Sequence, residues 1–148
     1  SMRWCTLVVL SPLLVLLFTS VPHVQALDAG EIDALTDMQA EWGQQLGWVG
    51  APNCSWAGVQ CNNEGHVIEL APPSNDLSGP IPDSIGNLQS LQSLNLAINS
   101  LSGPIPGSIG NLKSLQSLFL FYNQLSSSIP DSIGNLQSLK YLNLYHNR

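Results

Sequence analysis

The stretch Leu91-x-x-Leu94-x-Leu96-x-x-Asn99-x-Leu101-Ser102-Gly103-Pro104-Ile105-Pro106 returns 24 residues later with Leu115, Leu118, Leu120, Asn123, Leu125, Ile129 and Pro130 in the same places. Asn75, Asn99, Asn123 and Asn147 keep that spacing, as do Leu77, Leu101 and Leu125, and the Ile-Gly-Asn-Leu blocks at 85–88, 109–112 and 133–136. Aligning Ser78–Leu101 with Ser102–Leu125 gives 18 identities in 24 positions. A fixed period of this length marks a chain of stacked structural units rather than one globular core.

Just before the repeats stands Cys54-Ser55-Trp56-Ala57-Gly58-Val59-Gln60-Cys61. The 24-residue unit resembles the plant-type extracellular leucine-rich repeat. The cysteine segment resembles the C-x-W-x-G-V-x-C cap of plant receptor-like kinases, receptor-like proteins and polygalacturonase-inhibiting proteins. The resemblance covers the chain from about Asp28 to Arg148. It implies an α/β leucine-rich-repeat solenoid with parallel strands on the concave face, an extended or 3-10 outer side, and a helical, disulfide-bonded N-terminal cap. The expected organisation is a signal peptide at 1–26, a cap at 27–63 and about 3.5 repeats at 64–148.

The unit also has a direct physical reading. In L-x-L the two leucines point inward from a short strand and the residue between them points out. Stacking the units pairs the strands and merges the leucines into one core. Each periodic Asn sits where the chain leaves the strand, and its short amide satisfies backbone groups in the turn. Ser-Gly-Pro-Ile-Pro cannot be regular helix, because its prolines lack a donor and fix φ. Gly86, Gly110 and Gly134 read as turn glycines. In the first unit Pro72 stands where a core leucine belongs, which predicts an irregular or edge strand. The fourth unit stops at Asn147-Arg148 and leaves Leu142 and Leu144 without a following coil, so the sequence reads as a fragment or a truncated product.

The N-terminal flank carries two further readings. Leu7–Phe18 is apolar apart from Ser11 and Pro12, follows the lone basic Arg3, and leads to Val24-Gln25-Ala26. That is the pattern of a cleaved secretory signal. It is too short for a membrane anchor, which needs ~20 apolar residues. Beyond it, Asp28 with Glu31 looks like a helix start, and Ile32, Leu35, Met38 and Trp42 form one apolar stripe suited to covering the first coil. Trp48 and Trp56 are expected beside the disulfide.

Cys54 and Cys61 are the two cysteines left after the signal, and in an oxidising compartment they form one disulfide. The metal alternative fails, since two thiolates with His66 do not complete a zinc set. Asn53-Cys54-Ser55 is the one glycosylation sequon. Its middle residue belongs to the disulfide, so oxidation and glycan transfer compete and partial occupancy at Asn53 is expected.

Charge narrows the function. The chain carries −6 with only 9% charged residues, and residues 27–83 hold nine acids and no Lys or Arg. Nucleic-acid binding has no electrostatic basis here. No catalytic constellation, metal or cofactor is expected. His66 and His146 lack a nucleophile motif, the serines follow the period, and Asp83 and Asp131 lie two coils apart.

What breaks the repeat is informative. Three of the six mismatches between the two aligned units are Asn95/Phe119, Ala97/Phe121 and Ile98/Tyr122, and the last unit adds Tyr141, Tyr145 and His146. Phe119, Phe121, Tyr122, Tyr141, Tyr145 and His146 are therefore the candidate ligand-binding residues on the concave face. Four strands of ~5 residues offer roughly 300 Å², against ~800 Å² per partner in a standard protein interface, which suits a short peptide or glycan. The resemblance implies a non-catalytic extracellular recognition module with a peptide, glycan or protein ligand and a co-receptor, secreted or at the plasma membrane if a spanning segment follows. The alternatives are a secreted polygalacturonase-inhibitor-like protein and a truncated product without activity of its own.

Overall fold

The computed structural model describes residues 26–73 and 76–148. The expected signal segment, apart from Ala26, and Asn75 lie outside the described residues. Helix α1 (Ala29–Leu46) opens on a capping box. The Asp28 carboxylate accepts the Glu31 N–H at 2.8 Å, and the Glu31 carboxylate accepts the Asp28 N–H at 3.0 Å. Two orphan donors at the helix start are thereby satisfied. The helix ends at Gly47, whose φ of 66° is a left-handed turn that glycine adopts without steric cost.

Leu35, Met38 and Trp42 are buried as expected, with Ala34 beside them. Ile32 is not: it is 40% exposed, and Glu31 occupies the inward position at 1% exposure. The inward face runs Glu31–Leu35–Met38–Trp42 at spacings of four, three and four, one residue off the stripe that starts at Ile32. Burial of a carboxylate is tolerated because its oxygens are bonded. Besides Asp28, Glu31 accepts the Val67 N–H at 2.8 Å, and His66 Nδ1 lies 3.4 Å away.

Strands β1 (Val59–Cys61) and β2 (Val67–Leu70) form an antiparallel hairpin that the cap motif did not announce. The main sheet then continues in parallel through β4 (Ser93–Asn95), β6 (Ser117–Phe119) and β8 (Tyr141–Asn143). Its register repeats coil by coil, with Leu70 opposite Leu94, Leu94 opposite Leu118 and Leu118 opposite Leu142. Pro72 does not place its strand at an edge: β2 lies between β1 and β4, and the proline follows it, two residues beyond Leu70. A second, three-stranded parallel sheet, β3 (Ser78–Gly79), β5 (Ser100–Gly103) and β7 (Gln124–Leu125), forms where each unit leaves the concave side. The outer side carries 3-10 turns at Asp83–Asn87, Gly107–Asn111 and Asp131–Asn135, each after a proline.

One core runs through the solenoid. Leu88, Leu91, Leu94, Leu96, Leu101 and Ile109 are fully buried, as are Leu112, Leu115, Leu118 and Leu120 one coil on. Each contributes about 1.5–3 kcal/mol on burial. In the last coil Leu142, paired with Leu118 on one side, is 46% exposed.

Two ladders fix the distance between coils. The periodic asparagines bridge neighbouring coils as well as their own turns. Asn123 accepts the Leu101 N–H (3.0 Å) and donates to Leu96 O (2.9 Å) and Leu120 O (3.1 Å). Asn99 accepts the Leu77 N–H and Asn147 the Leu125 N–H in the same way. On the outer side, Gly86 and Gly110 are not turn glycines with left-handed backbone. A Cβ on Gly86 would fall 2.6 Å from Ser108 O, and one on Gly110 2.5 Å from Ser132 O. Glycine is there because the next coil passes against it. Ser108 and Ser132 bond back across the same seam, to Asp83 O and Gly107 O.

Candidate functional site

In β6 the inward Leu118 and Leu120 are fully buried while Phe119 and Phe121 face the other side, half-buried. The strand ends formally at Phe119, but inter-coil bonding runs further. Leu96 N donates to Phe119 O, Ile98 N to Phe121 O, Leu120 N to Asn143 O and Tyr122 N to Tyr145 O. Alternation therefore continues past the strand and carries Phe121 and Tyr145 onto the concave side.

The chain then turns through Ile98, Tyr122 and His146, all left-handed, with φ of 57°, 52° and 57°. None is glycine, and for a β-branched residue such as Ile98 this is an unusual conformation. It persists because both flanks are tied down. Asn99 N bonds Tyr122 O and Asn123 N bonds His146 O, while the Asn side chains hold the carbonyls just upstream. Tyr122 and His146 thus belong to the rim of the concave face, at the turn, and not to the strands. Sequence periodicity could not reveal this, since it shows that position 98 recurs but not its backbone conformation.

The structure brings five of the six candidate residues into one ring network. Phe119 meets Phe121 edge-on at 6.5 Å between centroids, Phe121 meets Tyr122 at 6.0 Å, and Tyr122 meets Tyr145 at 5.8 Å. His146 closes the group at 4.8 Å from Tyr122 and 5.1 Å from Tyr145. Such edge-to-face pairs contribute about 0.5–1.5 kcal/mol each beyond area burial. Tyr141, in β8, is exposed and stands outside this network. Exposed Ile98 extends the rim one coil toward the cap and was not among the sequence candidates.

Beside the aromatic rim the face is polar, with Glu69 in register with Ser93. Ser93, Ser117, Asn95 and Asn143 point outward, with Ser117 Oγ and Ser93 Oγ 3.2 Å apart. Lys140 Nζ donates to Gln116 Oε1 at 3.0 Å. A groove beyond the rim is floored by Ile105, Leu125, Ile129 and Leu144 and edged by His146 and Arg148.

In the cap, Cys54 and Cys61 are disulfide-bonded. Trp48 and Trp56 stack at 4.7 Å, each indole N–H donating to a backbone carbonyl, of Ala57 and Val49 respectively. Asp28, Glu31 and His66 offer atoms within 4.8 Å of one another. Three of their four carboxylate oxygens accept backbone N–H groups. The cluster fastens α1 to β2 through these bonds. Among the described residues no helix is long and apolar enough to cross a membrane.

The geometry is that of a capped solenoid displaying a concave aromatic rim, and the comparisons agree. The family described as Leucine rich repeat matches residues 74–125 and 89–148, which together span half of the chain. The chain belongs to the leucine-rich repeat family. It is 37% identical over 102 residues, 66% of its length, to a probable leucine-rich repeat receptor-like protein kinase of Arabidopsis thaliana, and 36% identical over 106 residues, also 66%, to phytosulfokine receptor 1 of the same plant. It spans about a tenth of the length of these curated relatives, 11% and 10%. Among solved structures, the SOBIR1 receptor-kinase ectodomain of Arabidopsis thaliana superposes with a TM-score of 0.70 at 30% identity, covering 83% of this chain and 70% of that one. The PEPR1–AtPEP1 crystal structure gives 0.72 at 31%, covering 79% and 18%. The BIR3–SERK2 complex from Arabidopsis thaliana gives 0.69 at 35%, covering 78% and 68%.

Proposed function

We propose that this chain is a secreted, non-catalytic recognition module, part of the ectodomain of a plant receptor-like kinase or receptor-like protein. It takes a short extracellular peptide against the rim formed by Phe119, Phe121, Tyr122, Tyr145 and His146, with Tyr141 as an outlying contact. The observation that carries the reading is that contiguous ring network, assembled from residues in which otherwise near-identical coils differ. Aromatic rings give large contact area at low entropic cost, and the hydroxyls and amides of Ser93, Asn95, Ser117 and Asn143 suit the peptide groups of an extended ligand. PEPR1 is seen with AtPEP1 and SERK2 with BIR3 in structures that share this fold. Peptide binding and pairing with a co-receptor ectodomain are therefore the partner classes assigned here.

Four strands at ~4.8 Å spacing span roughly 14 Å, room for about four or five extended residues. The test is selection of a random heptapeptide library on the purified chain and, in parallel, on a variant with Phe119, Phe121, Tyr122 and Tyr145 replaced by Ala. Enrichment of a sequence family on the natural chain alone supports the reading. Identical enrichment on both, with unchanged circular dichroism, refutes it.

A further inference from the structure

The Asn53 sequon lies inside the cap loop, and its folded geometry bears on when it can be modified. Asn53 Oδ1 accepts the Ser55 N–H at 2.9 Å and the Ser55 hydroxyl, and Asn53 Nδ2 donates to Ala51 O at 2.9 Å. Its carbonyl accepts the Trp56 N–H at 3.3 Å. Every polar group of Asn53 named here is engaged within the six residues 51–56.

Three constraints hold that turn closed. Cys54, the middle residue of the sequon, is bonded to Cys61. Trp56, one residue beyond it, is 7% exposed and stacked on Trp48. Val59 then enters β1, paired with β2. Glycan transfer requires the sequon to be drawn into a transferase with the Asn53 amide nitrogen free to attack. Asn53 is half-buried and Ser55 exposed, so what withholds the amide nitrogen is the closed turn, which must open before Asn53 Nδ2 is free.

We propose that Asn53 is a glycosylation site gated by redox state, accepting an oligosaccharide while Cys54 and Cys61 are thiols and closed to it once they are joined. In the transfer, Asn53 Nδ2 displaces the pyrophosphate of a polyprenyl-pyrophosphate oligosaccharide. A C–N bond forms at the anomeric carbon, the C–O bond to pyrophosphate breaks, and the amide gives up one proton. Closing the loop removes two electrons and two protons from the thiols, which pass to a disulfide of the compartment's oxidoreductases.

Order of synthesis favours a window for transfer. Cys61 follows Asn53 by eight residues, so it emerges roughly 0.4–1.6 s later at 5–20 residues per second. Disulfide formation takes seconds to hours. Glycan transfer and ring closure therefore overlap, and occupancy records which came first. A glycosylated chain can still close the loop, because Nδ2 keeps one N–H for Ala51 O.

The test uses the full chain, refolded oxidised without glycan, as acceptor for detergent-solubilised oligosaccharyltransferase and a polyprenyl-pyrophosphate oligosaccharide. The oxidised protein is expected to be glycosylated at no more than one-tenth the rate of the same protein held in dithiothreitol, with Ser55→Ala abolishing transfer in both. Equal rates, or no transfer to the reduced chain, would overturn the proposal. In secreting cells, Cys61→Ser keeps the sequon and removes the bond. Its glycosylated fraction, read by endoglycosidase shift in whole extracts so that export is not required, should exceed that of the natural chain. An unchanged fraction would also overturn it.

Discussion

Replacing Gly110 with alanine places a methyl group 2.5 Å from Ser132 O and 2.6 Å from Ser132 Cβ. Ordinary carbon contacts lie near 3.5–4.0 Å, so the two coils must part locally by about 1 Å. Overpacking of this kind costs about 1–3 kcal/mol. The Ser132 hydroxyl bond to Gly107 O, 2.7 Å long across the same seam, is strained with it and adds about 1 kcal/mol. The expected loss is about 2–4 kcal/mol. Gly134 occupies the same place in the next unit, but a Cβ there meets nothing within 4 Å. Gly134→Ala should therefore stabilise by about 0.4–1 kcal/mol, through the unfolded chain alone. Urea unfolding followed by circular dichroism measures both, with the slopes compared to confirm that the same surface unfolds. If the two substitutions shift the midpoint equally, glycine at this position is not set by coil contact, and the reasoning fails.

Two further perturbations follow from the same geometry. Ile98 is held at φ 57° and half exposed, so Ile98→Asn should relieve strain and raise stability by about 1 kcal/mol in urea unfolding; a loss would show that its side chain carries more packing than its exposure indicates. Asn123→Ala leaves Leu101 N–H, Leu96 O and Leu120 O without their partner in a buried position, a loss of about 2–4 kcal/mol, whereas Asn95→Ala on the open face should change the midpoint by no more than about 0.5 kcal/mol.

Much of this architecture is legible in the sequence because a 24-residue period exposes the residues that every coil needs. Leu94 and Leu96 read as inward and are fully buried, and Asp28 with Glu31 reads as a helix start. What the period hides is the partner. Asn123 reads as a local turn residue, yet its carbonyl oxygen serves Leu101, 22 residues back. Gly110 reads as a turn glycine, yet what excludes a side chain is Ser132 of the next coil. Both effects act across a whole unit, where local propensity is silent.

The helix stripe shows a different limit. Ile32 and Glu31 are neighbours, and hydrophobicity alone selects Ile32. Glu31 turns inward because Val67 N–H, on another segment, waits for it. Likewise the aromatic positions were visible as breaks in the repeat, while the left-handed turn that lifts Tyr122 and His146 to the rim, and leaves Tyr141 apart, depends on inter-coil bonds.

The aromatic rim is the proposed recognition surface. The most direct measurement is calorimetric titration of a peptide selected on the natural chain against Tyr122→Ala, which removes the ring at the centre of the network. Val49→Ser serves as the control, since it alters an exposed apolar residue in the cap, away from the network. Loss of a central aromatic contact should weaken binding by about 2 kcal/mol, roughly thirtyfold, with the control unchanged. Equal affinity for both variants and the natural chain, with circular dichroism intact, would contradict the account.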